Sequence, residues 1–188
     1  MKKKFIIAIP KNILVVYSST RQIISFIGPE KKKSIKLYLK LNILQRRRAL
    51  EVTKSPFSLM SNQNIRQLKT MQGTTVALIK QVLAEVSVFM FKKLKLVGVG
   101  YKAIQLAGYH GNVILFKLGF SHFLYFRLPT GFRTKILKFT KIFICGNSYQ
   151  KVTQLAAIIR SYKEPDPYKG KGVLYFSEQI ALKQGKRA

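Results

Sequence analysis

Carboxylates are nearly missing from this sequence. Six Asp and Glu stand against 35 Lys and Arg, a formal net charge of +29 over 188 residues. No acid occurs between Glu85 and Glu164, although residues 86–163 carry 13 basic residues. Such a stretch excludes paired-carboxylate acid–base chemistry within itself. It also gives His110 and His122, the two histidines, no acid close in sequence to orient either imidazole. With the single Cys145 they match no recognised metal-ligand spacing, so neither a metal nor another cofactor is expected. One cysteine excludes an internal disulfide. In the apolar run 142–145 it reads as a core residue, and it fits a reducing compartment. Long apolar runs are missing as well. None approaches the roughly 18–20 residues needed to cross a bilayer. Residues 5–9, between three lysines and Pro10, are too short for a secretory signal. Strand-like sequence close to Met1 argues against a cleaved transit peptide.

Apolar mass is plentiful. The chain is 47% hydrophobic, with 13 Phe and 9 Tyr, which is ample for a buried core and excludes a disordered basic arm. A compact body of this charge repels itself unless something anionic covers it. Solubility alone requires only faces of mixed sign. Nucleic acid is the expected cover, because each neutralised phosphate releases condensed counterions.

The patterning falls into two similar halves. Residues 13–17 and 23–27 are β-branched and aromatic runs with a turn at 18–20, and Gly28-Pro29 ends the second. Residues 35–39 alternate as a third strand. Residues 42–61, with Arg46, Arg47 and Arg48, read as a loop or edge facing something anionic. Leu68, Met71, Thr75, Ile79 and Val82 then form one face of a core helix, weakened locally by Gly73. In the second half, strands are expected at 94–97, 113–116, 123–128 and 141–145, with turns at 108–111 and 129–131. Asn147 or Ser148 caps a helix that presents Val152, Leu155, Ala156 and Ile159 on one face, and Tyr162 closes it before Pro165. The shared order predicts an α+β fold of two tandem, structurally similar small domains, 1–84 and 85–188. Each would be a mostly antiparallel sheet packed with one main helix. A loose alignment lays Ile23 through Gly28 and Leu37 over Ile114 through Gly119 and Leu128.

Two motifs bear on chemistry. Gly98-Val-Gly100-Tyr101-Lys102-Ala103 has the glycine spacing of a dinucleotide fingerprint. That site needs a helix immediately afterwards and an acid about 20 residues on. Gly108 and Gly111 interrupt any helix here, and no acid precedes Glu164. The glycines read instead as permitting close approach of backbone to backbone or to RNA. Residues 164–172, Glu-Pro-Asp-Pro-Tyr-Lys-Gly-Lys-Gly, are stiffened by proline and allowed tight turns by glycine. Tyr168 offers a stacking face, and Lys169 and Lys171 offer charge. That mixture suits clamping RNA backbone and unstacked bases; the plainer alternative is a polar connector.

The stretch from Leu94 onward resembles the C-terminal domain of large-subunit ribosomal protein six, the L-six family of bacterial and organellar ribosomes. The matching pieces are Leu96-Val-Gly-Val-Gly-Tyr-Lys-Ala103, Leu118-Gly-Phe-Ser-His122, Leu128-Pro-Thr-Gly131, Gln154-Leu-Ala-Ala157, Ile159-Arg160 and Pro165-Asp-Pro-Tyr-Lys-Gly-Lys-Gly172. The first half is similar more loosely, through Ile9-Pro10, Gly28-Pro29 and Gly73-Thr74. The resemblance implies a structural, non-enzymatic protein that binds large-subunit rRNA, chiefly through its C-terminal domain. It implies a place at the helix carrying the sarcin–ricin loop, beside other ribosomal proteins near the stalk base. Expected RNA contacts are Gly98, Gly100, Tyr101, Lys102, Ser121, His122, Tyr168, Lys169, Gly170, Lys171 and Gly172. To these are added the nearby cations Arg160, Lys163, Lys183, Lys186 and Arg187. Neither a membrane nor a second copy is an expected partner. The chain departs from the family pattern at Phe123, where proline often follows the Ser-His pair, and over residues 41–63. Abundant Phe, Ile and Lys match chains encoded by AT-rich genomes and point to a mitochondrial ribosome, with a plastid or bacterium as alternatives. Two other classes stay open: a nucleotide-dependent enzyme built on 98–103, and a peripheral membrane protein using a basic, aromatic surface.

Overall fold

A computed structural model describes residues 5–29, 31–58, 62–106 and 112–185. It divides into two compact units, residues 1–88 and 89–188. The first contains β1 (Ile6–Ala8), β2 (Leu14–Ser18), β3 (Ile23–Ile27), β4 (Lys32–Lys36), β5 (Leu39–Leu44), β6 (Ala49–Pro56) and the helix α1 (Asn62–Ser87). The strands form two antiparallel sheets, ordered β1-β6-β5 and β2-β3-β4. Alternate residues point to opposite faces of a strand. Ile24 and Phe26, Leu39 and Leu41, and Leu50 and Val52 therefore enter the core together. They meet Val76, Ile79, Val82, Leu83 and Val86, the helical stripe of α1.

The second unit repeats this plan. It contains β7 (Met90–Val97), β8 (Lys102–Leu106), β9 (Val113–Lys117), β10 (Leu124–Arg127), β11 (Phe132–Leu137), β12 (Lys141–Gly146), α2 (Tyr149–Ser161) and β13 (Gly172–Tyr175). The sheets run β10-β9-β8 and β11-β12-β7-β13. Without β13, both sheets have the order of their counterparts in the first unit. The correspondence reaches single residues. Ile7 pairs with Leu50 in the first unit, Leu94 pairs with Ile142 in the second, and all four are buried. The expected α+β duplication is therefore what the chain forms, and among the described residues β13 is the one strand without a counterpart.

Several local expectations change. Residues 35–39 are not one strand: β4 ends at Lys36 and β5 begins at Leu39, with Leu37 buried between them. Of the two readings of residues 42–61, a loop or an edge, the described part favours the edge: residues 42–58 hold the end of the edge strand β5, a single 3-10 turn at Gln45–Arg47, and the eight-residue strand β6. The three arginines obscured the alternation of Leu50 and Val52 that follows them. The alignment of the halves is right at Leu37 and Leu128 but one residue off in the preceding strand. There Ile24 and Phe26 occupy the positions of Ile114 and Phe116, paired with Ile35 and Lys33 and with Phe126 and Leu124 respectively. The loop after β9 absorbs the extra residue. A divide at residue 84 would cut the last turn of α1, which runs on to Ser87. Cys145 is half-buried rather than in the core. Ile142 and Ile144 point inward on β12, so residue 145 must point the other way. A strand, β8, follows the glycines at 98 and 100, so the helix that a dinucleotide site requires is absent there. The expected turn at 108–111 and His110 lie outside the described residues.

Candidate nucleic-acid interface

The segment between α2 and β13 is pinned at both ends. Tyr162 caps α2, and its ring lies edge-on to Phe116 and Phe126, each 6.0 Å away between centroids. Burial pushes the Tyr162 phenol above its ordinary pKa, which keeps it neutral. At the other end Gly172 and Val173 pair with Val97 and Leu96 of β7. A Cβ on Gly172 would lie 2.7 Å from the Pro165 Cα, so only glycine lets the two ends of the loop come this close.

Inside the loop one carboxylate sets the backbone. Asp166 Oδ1 accepts from the Tyr168 N–H at 3.0 Å, and Oδ2 accepts from the Lys169 N–H at 3.3 Å. Its own N–H donates to the Lys171 carbonyl at 3.0 Å, and its carbonyl accepts from Gly170 at 2.8 Å. The Val173 N–H closes the loop onto the Lys163 carbonyl at 2.9 Å. With the acid turned into its own backbone, Tyr168, Lys169 and Lys171 are left exposed. The Lys183 N–H donates to the Pro167 carbonyl at 3.0 Å, which brings a further exposed lysine beside them.

Two other loops join this one. The Tyr101 ring lies across two glycines: a Cβ at Gly98 or Gly119 would come within 3.0 Å of it. Lys163 Nζ sits 4.5 Å from the centroid of the Phe120 ring, and Phe120 stacks on His122 at 5.7 Å. Residues 98–102, 119–122 and 163–171, with Lys183, therefore gather at one end of the second unit. Lys102, Ser121 and His122 are exposed there, whereas Tyr101 is half-buried and packs against the core. Gly119 and Phe120 were not among the expected site residues. The piece containing them was legible, but their packing against Tyr101 and Lys163 has no sequence period. Lys186 and Arg187 lie outside the described residues.

Arg160 has a different employment. Its Nε and Nη2 donate to the two carboxylate oxygens of Glu178 at 3.1 and 2.6 Å, and Glu178 Oε2 also accepts from the Tyr175 N–H at 3.0 Å. This bidentate pair fastens the chain after β13 to α2. The bond from Arg160 holds the Glu178 carboxyl below its ordinary range, and the same bond raises the Arg160 pKa. A depressed folded pKa means that the stabilisation is complete above the ordinary glutamate range and is lost as pH falls through the lower, folded value. Hydrogen-exchange protection at residues 175–178, taken relative to the intrinsic rate at each pH, should fall on acidification through that window. In Glu178→Gln protection should be low throughout and show no such step.

Asp166 gives a prediction of informative sign. By charge alone, removing an acid from a cationic surface would strengthen anion binding. Asp166→Ala instead takes away two backbone partners, each contributing about 1 kcal/mol to loop order. Affinity for RNA should therefore fall, measured by filter binding, while Asp166→Asn keeps part of it. Stronger binding by the alanine variant would mean that the loop's shape is irrelevant.

Among the described residues no group of three or more His, Cys, Asp or Glu side chains could hold a metal, and no helix is long and apolar enough to cross a membrane. By class, then, this is a duplicated α+β scaffold that carries a cationic loop cluster on its second unit. The comparisons with known proteins make it specific. The family model for ribosomal protein L6 matches residues 97–176. The large ribosomal subunit protein uL6 of Mycoplasmoides gallisepticum is 36% identical over 183 residues, covering 97% of this chain and 94% of the relative. That of Hydrogenobaculum sp. is 35% identical over 182 residues, covering 97% and 93%. That of Neisseria meningitidis is 35% identical over 139 residues, covering 74% and 76%. The chain belongs to the ribosomal protein L6 family, structural proteins of the large ribosomal subunit.

Proposed function

We propose that this protein holds large-subunit rRNA through the loop cluster of its second unit, at the helix carrying the sarcin–ricin loop and near the stalk base. The observation that carries the reading is the convergence of residues 98–102, 119–122 and 163–171 into one surface, where Asp166 faces its own backbone and Glu164 is the one exposed acid. Lysines there neutralise phosphates and fix register, and exposed Tyr168 offers a face to an unstacked base. The protein acts as a single copy among neighbouring ribosomal proteins. Its partner is RNA and not a membrane. Its Phe-, Ile- and Lys-rich composition supports a mitochondrial ribosome as its location, which fractionation of organelles would check.

Crosslinking in intact large subunits, followed by mapping of both the peptide and the nucleotide, tests the reading. Crosslinks should fall within the three loops and on one RNA helix. Their absence from all three, in particles that contain the protein, would remove the loops from the interface.

A further inference from the structure

The four-stranded sheet of the second unit has two unlike faces. Leu94, Leu96, Ile142, Ile144 and Val173 face the core. Strand register then fixes what lies on the other side. Phe91, Cys145 and Arg133 form one cross-strand row. Lys93, Phe143 and Lys135 form the next, and Lys95, Lys141 and Leu137 the third. Phe176, just beyond β13, joins them: Lys93 Nζ lies 5.5, 5.2 and 5.6 Å from the ring centroids of Phe91, Phe143 and Phe176. Phe91 and Phe176 are both more than half exposed, and the cations Arg133, Lys135 and Lys141 are exposed to solvent. The three rows contain no carboxylate.

The fold does not require this decoration, and the first unit proves it. Around its inward pair Ile7–Leu50, the corresponding rows are Ile6, Glu51 and Asn42, and Ala8, Ala49 and Leu44. The same backbone positions there carry no aromatic ring, no cation and one acid. In these two rows the cations and rings belong to the second unit alone; beyond them the outward face of β5 carries one exposed cation, Lys40.

We infer that this sheet face is a second RNA-binding surface, and that its ligand is a single-stranded segment with unstacked bases. The inference rests on the RNA-binding reading above but uses residues that none of the three loops contributes. Cations alternating with exposed rings match the phosphates and base faces of a single strand. A duplex hides its base faces inside the stack, so it would leave the rings unused. An acidic peptide would match the charge and likewise leave the rings without a partner.

The test uses the full chain and a fluorescein-labelled oligouridylate decanucleotide, followed by anisotropy, with an RNA duplex of equal length beside it. Phe91→Ala with Phe176→Ala should weaken oligouridylate binding by about tenfold or more, as loss of base stacking does. Lys135→Asn with Lys141→Ala installs the residues of the first unit, and should flatten the slope of log affinity against log salt by about 1.4. Neither pair should change binding of the duplex. Lys169→Ala with Lys171→Ala should weaken binding to ribosomal RNA, and in that background both sheet variants should still weaken oligouridylate binding by the same factors. Loss of the sheet effect with the loop effect intact sinks this inference alone, and the converse sinks the loop reading alone. Displacement of the oligouridylate by an equal concentration of oligoglutamate would also overturn the proposal and make the face a protein-docking surface. Should a phenylalanine variant fail to fold, the unaltered protein decides. Crosslinks of 4-thiouridine to peptides containing Phe91, Phe143 or Phe176 are expected, and crosslinks confined to the three loops would overturn the idea.

Discussion

Changing Lys169 and Lys171 together to alanine should flatten the salt dependence of ribosomal RNA binding by about one to two units of slope. At low ionic strength the affinity should fall as well. Two charge-assisted contacts at an exposed site are together about 2–3 kcal/mol, or roughly thirty- to a hundred-and-fortyfold. The two measurements are independent, because slope counts displaced counterions and affinity also includes geometry. Both lysines are exposed on a loop whose shape is set by Asp166 and by the pairing of Gly172 with Val97. The variant should therefore keep the wild-type melting temperature. An unchanged slope would mean that neither lysine meets a phosphate.

The second large effect is expected in the core. Phe116 is fully buried and stands edge-on to Tyr162, the residue from which the loop departs. Phe116→Ala should cost about 3–5 kcal/mol by cavity formation and lost transfer energy. Denaturant unfolding followed by circular dichroism would measure it. The lesion should also weaken RNA binding under conditions where the protein is still folded, because Tyr162 loses one of its two ring partners. Phe26 occupies the equivalent position in the first unit. Phe26→Ala should cost a similar amount without touching the loop. Equal losses of RNA affinity in the two variants would refute this coupling of core to loop.

Much of the fold was legible because two periods dominate the chain. The stripe from Leu68 to Val82 and the quartet Val152, Leu155, Ala156 and Ile159 locate both helices, and the latter four are the buried residues of α2. The duplication was legible from element order. Register was not: a slip of one residue in the alignment of β3 with β9 left the hydrophobic character similar while reversing the faces. β6 was hidden by the arginines before it, and β13 by the glycines and lysines around it. The loop residues of the candidate site were legible as motifs, and the resemblance named most of them. Their partners were not. Nothing local tells that Arg160 is held by Glu178, or that the Tyr101 ring rests on Gly98 and Gly119. Those contacts join residues far apart in the chain, and sequence patterns report only on near neighbours.

β13 also sets an order of events during synthesis. The first unit can close as soon as α1 has emerged, since every strand it needs precedes that helix. The second cannot, because its sheet waits for Gly172–Tyr175 to reach β7. The lysine loop takes shape only when that late strand docks. A nascent chain stopped short of it would hold a nearly complete scaffold and an unformed grip. Assembly could then sort finished copies from interrupted ones by RNA affinity alone.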